Sequence, residues 1–188
     1  KVLNIKDGIT VINMSGLTFP DPSKELDKCS SEEKISLVIV SLLNRLIRDI
    51  MFSMPVNIPK FLMIDEAWSV VSLPSSRGLI EEVLLKGRSK NMACILLTQA
   101  TSHLDFNDGT DLDAGIQMRF AFGSQDAKDN LLTCQKMRIS EYQQWAKAVE
   151  TLGVGECLMC DVFGRHGIIQ IRSDDEWKEI FKTTPELN

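Results

Sequence analysis

Hydrophobic positions along the chain fall into two patterns: short unbroken apolar runs, and longer stretches in which they recur every three or four residues. The short runs are residues 60–65 (KFLMID), 92–99 (MACILLTQ) and 117–123 (QMRFAFG). Each is bounded by Pro, Gly or polar residues and reads as a strand. KFLMID, whose four residues Phe61 to Ile64 run apolar straight into the acidic end, has the character of a strand covered on both faces. Residues 8–17 (GITVINMSGL) read as a further strand with a turn at Ser15 and Gly16, followed by the polar loop TFPDPSKELDKCS. The longer stretches are helical. In residues 30–52, Ser30 and Ser31 stand ahead of Glu32 and Glu33 as cap and first-turn residues, and Pro55 lies just beyond the expected end. Residues 76–90 (SRGLIEEVLLKGRSK) and 124–137 (SQDAKDNLLTCQKM) give two more helices. From Gly153 the pattern changes, and residues 155–172 (GECLMCDVFGRHGIIQIR) read as two strands around a turn at Gly164 to Gly167, a terminal β-hairpin. The alternation of strands and helices predicts an α/β fold with a mostly parallel sheet and helices on both faces.

Composition narrows the class without naming a role. With 188 residues, 44% hydrophobic and 25% charged, the chain has globular composition and the length for one sizeable core, so a single domain over residues 1–188 is expected. The net charge of −5 gives no broad cationic field for nucleic acid or an acidic membrane, while a local basic loop leaves direct nucleic-acid binding open. No run reaches the roughly 18 apolar residues of a membrane span, and the first residues lack the layout of a signal peptide. Five cysteines, scattered from Cys29 to Cys160, do not form a secreted disulfide framework and fit a reducing cytoplasm.

Ligands of open α/β sheets gather beyond the carboxyl ends of the strands, and the unusual polar residues stand there: Asp65 and Glu66 end one strand, Thr98 and Gln99 the next. An apolar strand ending in Asp-Glu is the Walker B pattern of nucleotide-hydrolysing motors. Its first acid, here Asp65, holds the Mg²⁺ that bridges the β- and γ-phosphates of ATP, and its second, here Glu66, orients or deprotonates the attacking water. Gln99, on the neighbouring strand end, can hydrogen-bond the γ-phosphate or that water. The plainer reading is that the two acids cap the helix that follows. No G-x-x-x-x-G-K-S/T occurs, so the loop that cradles phosphates is absent from these residues. The expectation is a piece of a motor domain that binds ATP weakly and does not hydrolyse it alone.

Other features have plain alternatives. Cys157 and Cys160 have metal-site spacing, but in a strand residues three apart face opposite sides, and no second pair matches them. His166, in a turn, reads as solvated rather than as a ligand, and His103 as a loop hydrogen-bonding group. Trp68 reads as a packing anchor for its helix rather than a base-stacking platform. Lys86, Arg88 and Lys90 form a basic cluster that a solvated helix end also explains.

Taken together, FLMIDEAW, LIEEVLLKGRSKNMACILLTQATSHL, LGVGECLMCDVFGRHGIIQI and WKEIFKTTPE resemble the C-terminal half of the VirB-four-type ATPases of type IV secretion and conjugation systems. The resemblance covers most of the chain. It implies the C-terminal part of a RecA-like motor domain, an ATP- and magnesium-dependent hydrolase, a homo-oligomer, and a cytoplasmic place at the membrane beside the secretion-channel proteins. Carried over, Asp65 and Glu66 match the family's Walker B pair, Gln99 its polar strand end, and Arg88 the arginine of its Gly-Arg step, a finger that reaches a neighbouring subunit's nucleotide. A DNA-pumping motor of the HerA/FtsK type, or a docking module without catalysis, are the alternatives. The TTPE tail favours secretion.

Overall fold

The computed structural model describes residues 8–20, 24–71, 73–104, 112 and 115–180. The chain divides into two compact units, Lys1–Gly115 and Ile116–Asn188. The TTPE tail lies outside the described residues.

In the first unit, the segment read as an opening strand forms none among its described residues. Ile9 and Val11 are exposed. The turn at Ser15 and Gly16 is present, closed by the Leu17 N–H donating to the Met14 carbonyl at 3.0 Å. Helix α1 (Ser31–Ser53) starts at a reciprocal cap: the Glu33 amide donates to Ser30 Oγ at 3.2 Å and the Ser30 amide to Glu33 Oε2 at 2.6 Å. Two of the amides a helix start leaves unpaired are satisfied in this way. Past the other end, the ammonium of buried Lys60 donates to the Pro55 carbonyl at 2.9 Å, tying the connection to the first residue of strand β1 (Lys60–Ile64).

Strand β1 leads through a two-residue turn into the short helix α2 (Ala67–Val71), then α3 (Pro74–Lys90) and β2 (Met92–Leu96). β1 and β2 are parallel, in register from Lys60 opposite Met92 to Ile64 opposite Leu96. Leu62 and Cys94 pack with Ile47 and Met51 of α1 and Leu79 and Val83 of α3. Ile64 and Leu96 join Ala67 and Val71 of α2, Ile80 of α3 and Leu112. The expected cover on both faces is therefore found on one face only. Alternate residues point the other way, and Phe61 and Met63 are 69% and 62% exposed. α1, α2 and α3 all contribute to the two clusters on the covered side.

The second unit opens with β3 (Arg119–Phe122), followed by α4 (Ala127–Lys136), α5 (Tyr142–Glu150), the hairpin β4 (Glu156–Cys160) and β5 (His166–Gln170), and α6 (Asp175–Ile180). The sheet order is β3-β4-β5 and every pairing is antiparallel. β3, read with the parallel strands, thus lies against the hairpin. Its inward Ala121 joins Leu158 and Cys160 of β4 under Cys134, Ala146 and Val149 of the two helices. The α/β class stands, with its parallel part confined to β1 and β2. The hairpin turn is tighter than read: Asp161 Oδ1 accepts from the amides of Phe163 and Arg165, both at 2.9 Å. Gly164 takes the left-handed φ of +77°, and Gly167 sits in β5 opposite Met159. At the hairpin's start Gly155 has φ +79°, and a Cβ there would lie 2.7 Å from Gln170 Nε2 and 3.1 Å from the Ile171 carbonyl oxygen. Only glycine meets both conditions without strain.

Candidate functional site

The parallel pair brings three of the four singled-out residues to one end of its sheet. The Leu97 amide donates to the Ile64 carbonyl at 2.9 Å, and the Leu97 carbonyl accepts from the Ala67 amide at 2.8 Å. One residue just past the neighbouring strand therefore holds the backbone on both sides of Asp65 and Glu66, which leave the ladder as a two-residue excursion. Glu66 takes φ +49°, a left-handed conformation uncommon outside glycine. The Asp65 carboxylate supports the bend, its Oδ1 accepting from the Glu66 amide at 3.0 Å.

The Glu66 carboxylate is held at both oxygens. Gln99 Nε2 donates to Oε1 at 2.7 Å and Trp68 Nε1 to Oε2 at 2.9 Å. Its partners are thus side chains of the neighbouring strand end and of α2. Thr98, beside Gln99, turns its hydroxyl to the Ala100 carbonyl at 3.1 Å. His103, in a single 3-10 turn (Thr101–Leu104), places its ring 5.6 Å from Trp68, the planes inclined at 50°. Trp68 is 42% exposed, so α2 is anchored by the buried Ala67, Val70 and Val71 rather than by the indole. The N–H contact to Glu66 went unread in the sequence, although an indole two residues past a strand-end acid was visible there.

Arg88 is not part of this constellation. It lies exposed in the last turn of α3, where the chain caps at Asn91 in the left-handed conformation (φ 53°) and enters β2 from its amino end. Gly87 beside it is fixed by contact: a Cβ there would lie 2.8 Å from the Met92 carbonyl oxygen. Lys86, of the same basic cluster, donates to Glu82 Oε1 at 2.7 Å.

The donors at the strand ends suit a nucleotide-bound magnesium ion. Mg²⁺ commonly takes one or two protein carboxylates and completes its shell with water and phosphate oxygens, and the exposed Asp65 offers such an oxygen beside the fixed Glu66. Among the described residues no three His, Cys, Asp or Glu side chains gather into a protein-only metal cage. Cys157 and Cys160 are both buried in β4, and Cys160 Sγ donates to the Met137 carbonyl at 3.6 Å. His166 sets its ring edge-on to Trp145, 5.1 Å between centroids. Burial pushes the Cys94 thiol up to about 11 and raises those of Cys134 and Cys157, which disfavours the thiolate a nucleophile needs.

A family model described as AAA-like domain matches residues 1–181. Among solved structures, the chain is similar to the genome packaging NTPase B204 from Sulfolobus turreted icosahedral virus 2. The complex with AMPPCP is 18% identical with a TM-score of 0.42, covering 61% of this chain and 53% of that one. For the complex with sulfate the values are 20%, 0.42, 61% and 53%, and for that with ATP-gammaS they are 19%, 0.41, 60% and 52%. The chain spans about half the length of that NTPase. No curated protein sequence matches it significantly. With nearly every residue inside the family match, the chain belongs to the AAA-like domain family.

Proposed function

We propose that this domain forms part of the ATP- and magnesium-dependent motor of a type IV secretion or conjugation system. The observation that carries the reading is the Glu66 carboxylate held by Gln99 at 2.7 Å across the ends of two parallel strands. A base for the attacking water and a polar reporter of the γ-phosphate are thereby joined in one unit. Asp65 supplies the magnesium ligand and Glu66 the water-orienting carboxylate, while Gln99 links the acid to the occupancy of the phosphate site. Magnesium held by Asp65 would supply positive charge against that of the ATP phosphates. No G-x-x-x-x-G-K-S/T stands in the 188 residues, so another segment or subunit supplies the phosphate loop, and these residues alone hold ATP weakly and do not turn it over. Support for the secretion role comes from the DEAW, Gly-Arg and Gly-Glu stretches quoted above. On this reading the motor is a homo-oligomer at the cytoplasmic side of the membrane, working with the secretion-channel proteins. Among the described residues no helix is long and apolar enough to cross a membrane.

The two acids have different tasks, so their variants differ in kind. In the intact protein, Glu66→Gln keeps MgATP binding and lowers kcat by about a hundredfold or more, the usual size of a general-base contribution. Asp65→Asn weakens magnesium-dependent binding itself. Equilibrium binding of a fluorescent ATP analogue, with and without Mg²⁺, beside steady-state turnover, separates the two. If both variants bind and turn over ATP like wild type, the reading of the site is wrong.

A further inference from the structure

We propose that Trp68 is a positioning residue for Glu66, fixing the plane of its carboxylate through the indole N–H; this rests on the nucleotide reading of the site. A carboxylate that takes a proton from water must present a lone pair in one direction, yet a glutamate's carboxyl group turns readily about its last bond. Glu66 has a neutral donor on each oxygen, Gln99 on Oε1 and Trp68 on Oε2. Each oxygen of an ionised carboxylate has two acceptor sites, so each keeps one for water. One donor permits rocking about a single hydrogen bond, whereas two from different elements define a plane.

Three observations separate this role from plain packing or base stacking. The hydrophobic anchoring of α2 belongs to Ala67 and Val71, both fully buried, while the indole is 42% exposed. His103 lies beside the ring at 5.6 Å, tilted rather than stacked. Finally, the N–H at 2.9 Å meets the acid two residues away in the turn where Glu66 holds φ +49°, so backbone and side chain are constrained together.

The test has two arms. In the first, the 188-residue chain is labelled with ¹⁵N-tryptophan and the Trp68 indole resonance is assigned with Trp68→Phe. Glu66→Ala should shift that resonance, leaving those of Trp145 and Trp177 in place, and a resonance indifferent to Glu66→Ala would overturn the contact. In the second arm, Trp68→Phe in the intact protein keeps the aromatic ring and loses the donor. It should lower kcat by about tenfold, in line with one hydrogen bond to a charged group. Affinity for a non-hydrolysable ATP analogue with Mg²⁺ should stay within about twofold of wild type, since the lost interaction belongs to the reacting state. Unchanged kcat in a Trp68→Phe variant of active wild type overturns the role of Trp68 alone. A wild-type protein that binds no MgATP overturns the reading of the site and this role with it.

Discussion

At the scale of single residues, the two glycines of α3 show how one substitution reverses sign with its surroundings. Glycine inside a helix costs about 1 kcal/mol relative to alanine, mostly in backbone entropy. At Gly78 a Cβ would meet nothing within 4 Å. Gly78→Ala should therefore stabilise the first unit by about 0.5–1 kcal/mol in urea unfolding followed by circular dichroism. At Gly87 the same methyl would stand 2.8 Å from the Met92 carbonyl oxygen, a backbone atom held in the opening of β2. Gly87→Ala should cost about 1–3 kcal/mol in the same measurement, the range for forcing atoms into a filled space. A stabilising Gly87→Ala would mean that α3 and β2 do not meet as described. The glycine of the Gly-Arg step is thus explained by packing, whatever its arginine does.

At the scale of elements, α1 and α3 carry a polar seam beside their apolar contact. Asn44 donates to Ser76 Oγ at 2.7 Å in the interior, and nearer the surface the Arg48 guanidinium grips Glu82, which also accepts from Lys86. The hydrogen bonds from Arg48 and then Lys86 hold the Glu82 carboxyl at about 2, against an ordinary 4.5. A depressed carboxyl stabilises the fold above its unfolded value, and that contribution is lost as pH falls from about 4.5 toward 2. Glu82→Gln should cost about 1 kcal/mol at pH 7, because the pair is partly exposed. The gap between the unfolding free energies of variant and wild type should narrow steadily below pH 4.5, and a gap independent of pH would show that Glu82 acts through packing. Such seams are hard to read in a sequence. The helical periods of α1, α3 and α4 and the apolar runs of β1 and β2 were plain, because burial imposes those patterns directly. α5 was missed although Tyr142, Trp145, Ala146 and Val149 follow helical spacing. Which strand pairs with which depends on contacts distant in sequence, so the antiparallel placement of β3 against β4 could not be seen locally. At the site, the meeting of Glu66 with Gln99 was legible because both end parallel strands, and the hold of Trp68 on the second oxygen was not.

At the scale of the whole molecule, the position of Arg88 matters most. Gln99 lies beyond the carboxyl end of β2 and Arg88 before its amino end, with the five residues Met92–Leu96 between them. At about 3.3 Å per residue the strand alone separates the two by about 15 Å. On the motor reading proposed above, an arginine there is poorly placed for its own subunit's phosphates, and its planar guanidinium would instead serve a neighbour's, offsetting charge that builds up during transfer. Arg88→Ala in the intact protein should leave ATP affinity unchanged and cut turnover by about 10³-fold, the usual worth of a finger supplied in trans. Mixing Arg88→Ala with Glu66→Gln subunits should restore turnover, since an intact acid then meets a neighbour's intact arginine. Co-assembled subunits that remain inactive would return Arg88 to its plainer role at a helix end. Within the chain itself the acids keep their own clock. Leu97 grips the backbone on both sides of Asp65 and Glu66 through its N–H and its C=O, so the excursion cannot open unless the β1–β2 ladder parts first. The pair therefore inherits the lifetime of a paired ladder rather than that of a surface turn, and it stays aligned through fluctuations that would scatter residues on a free loop.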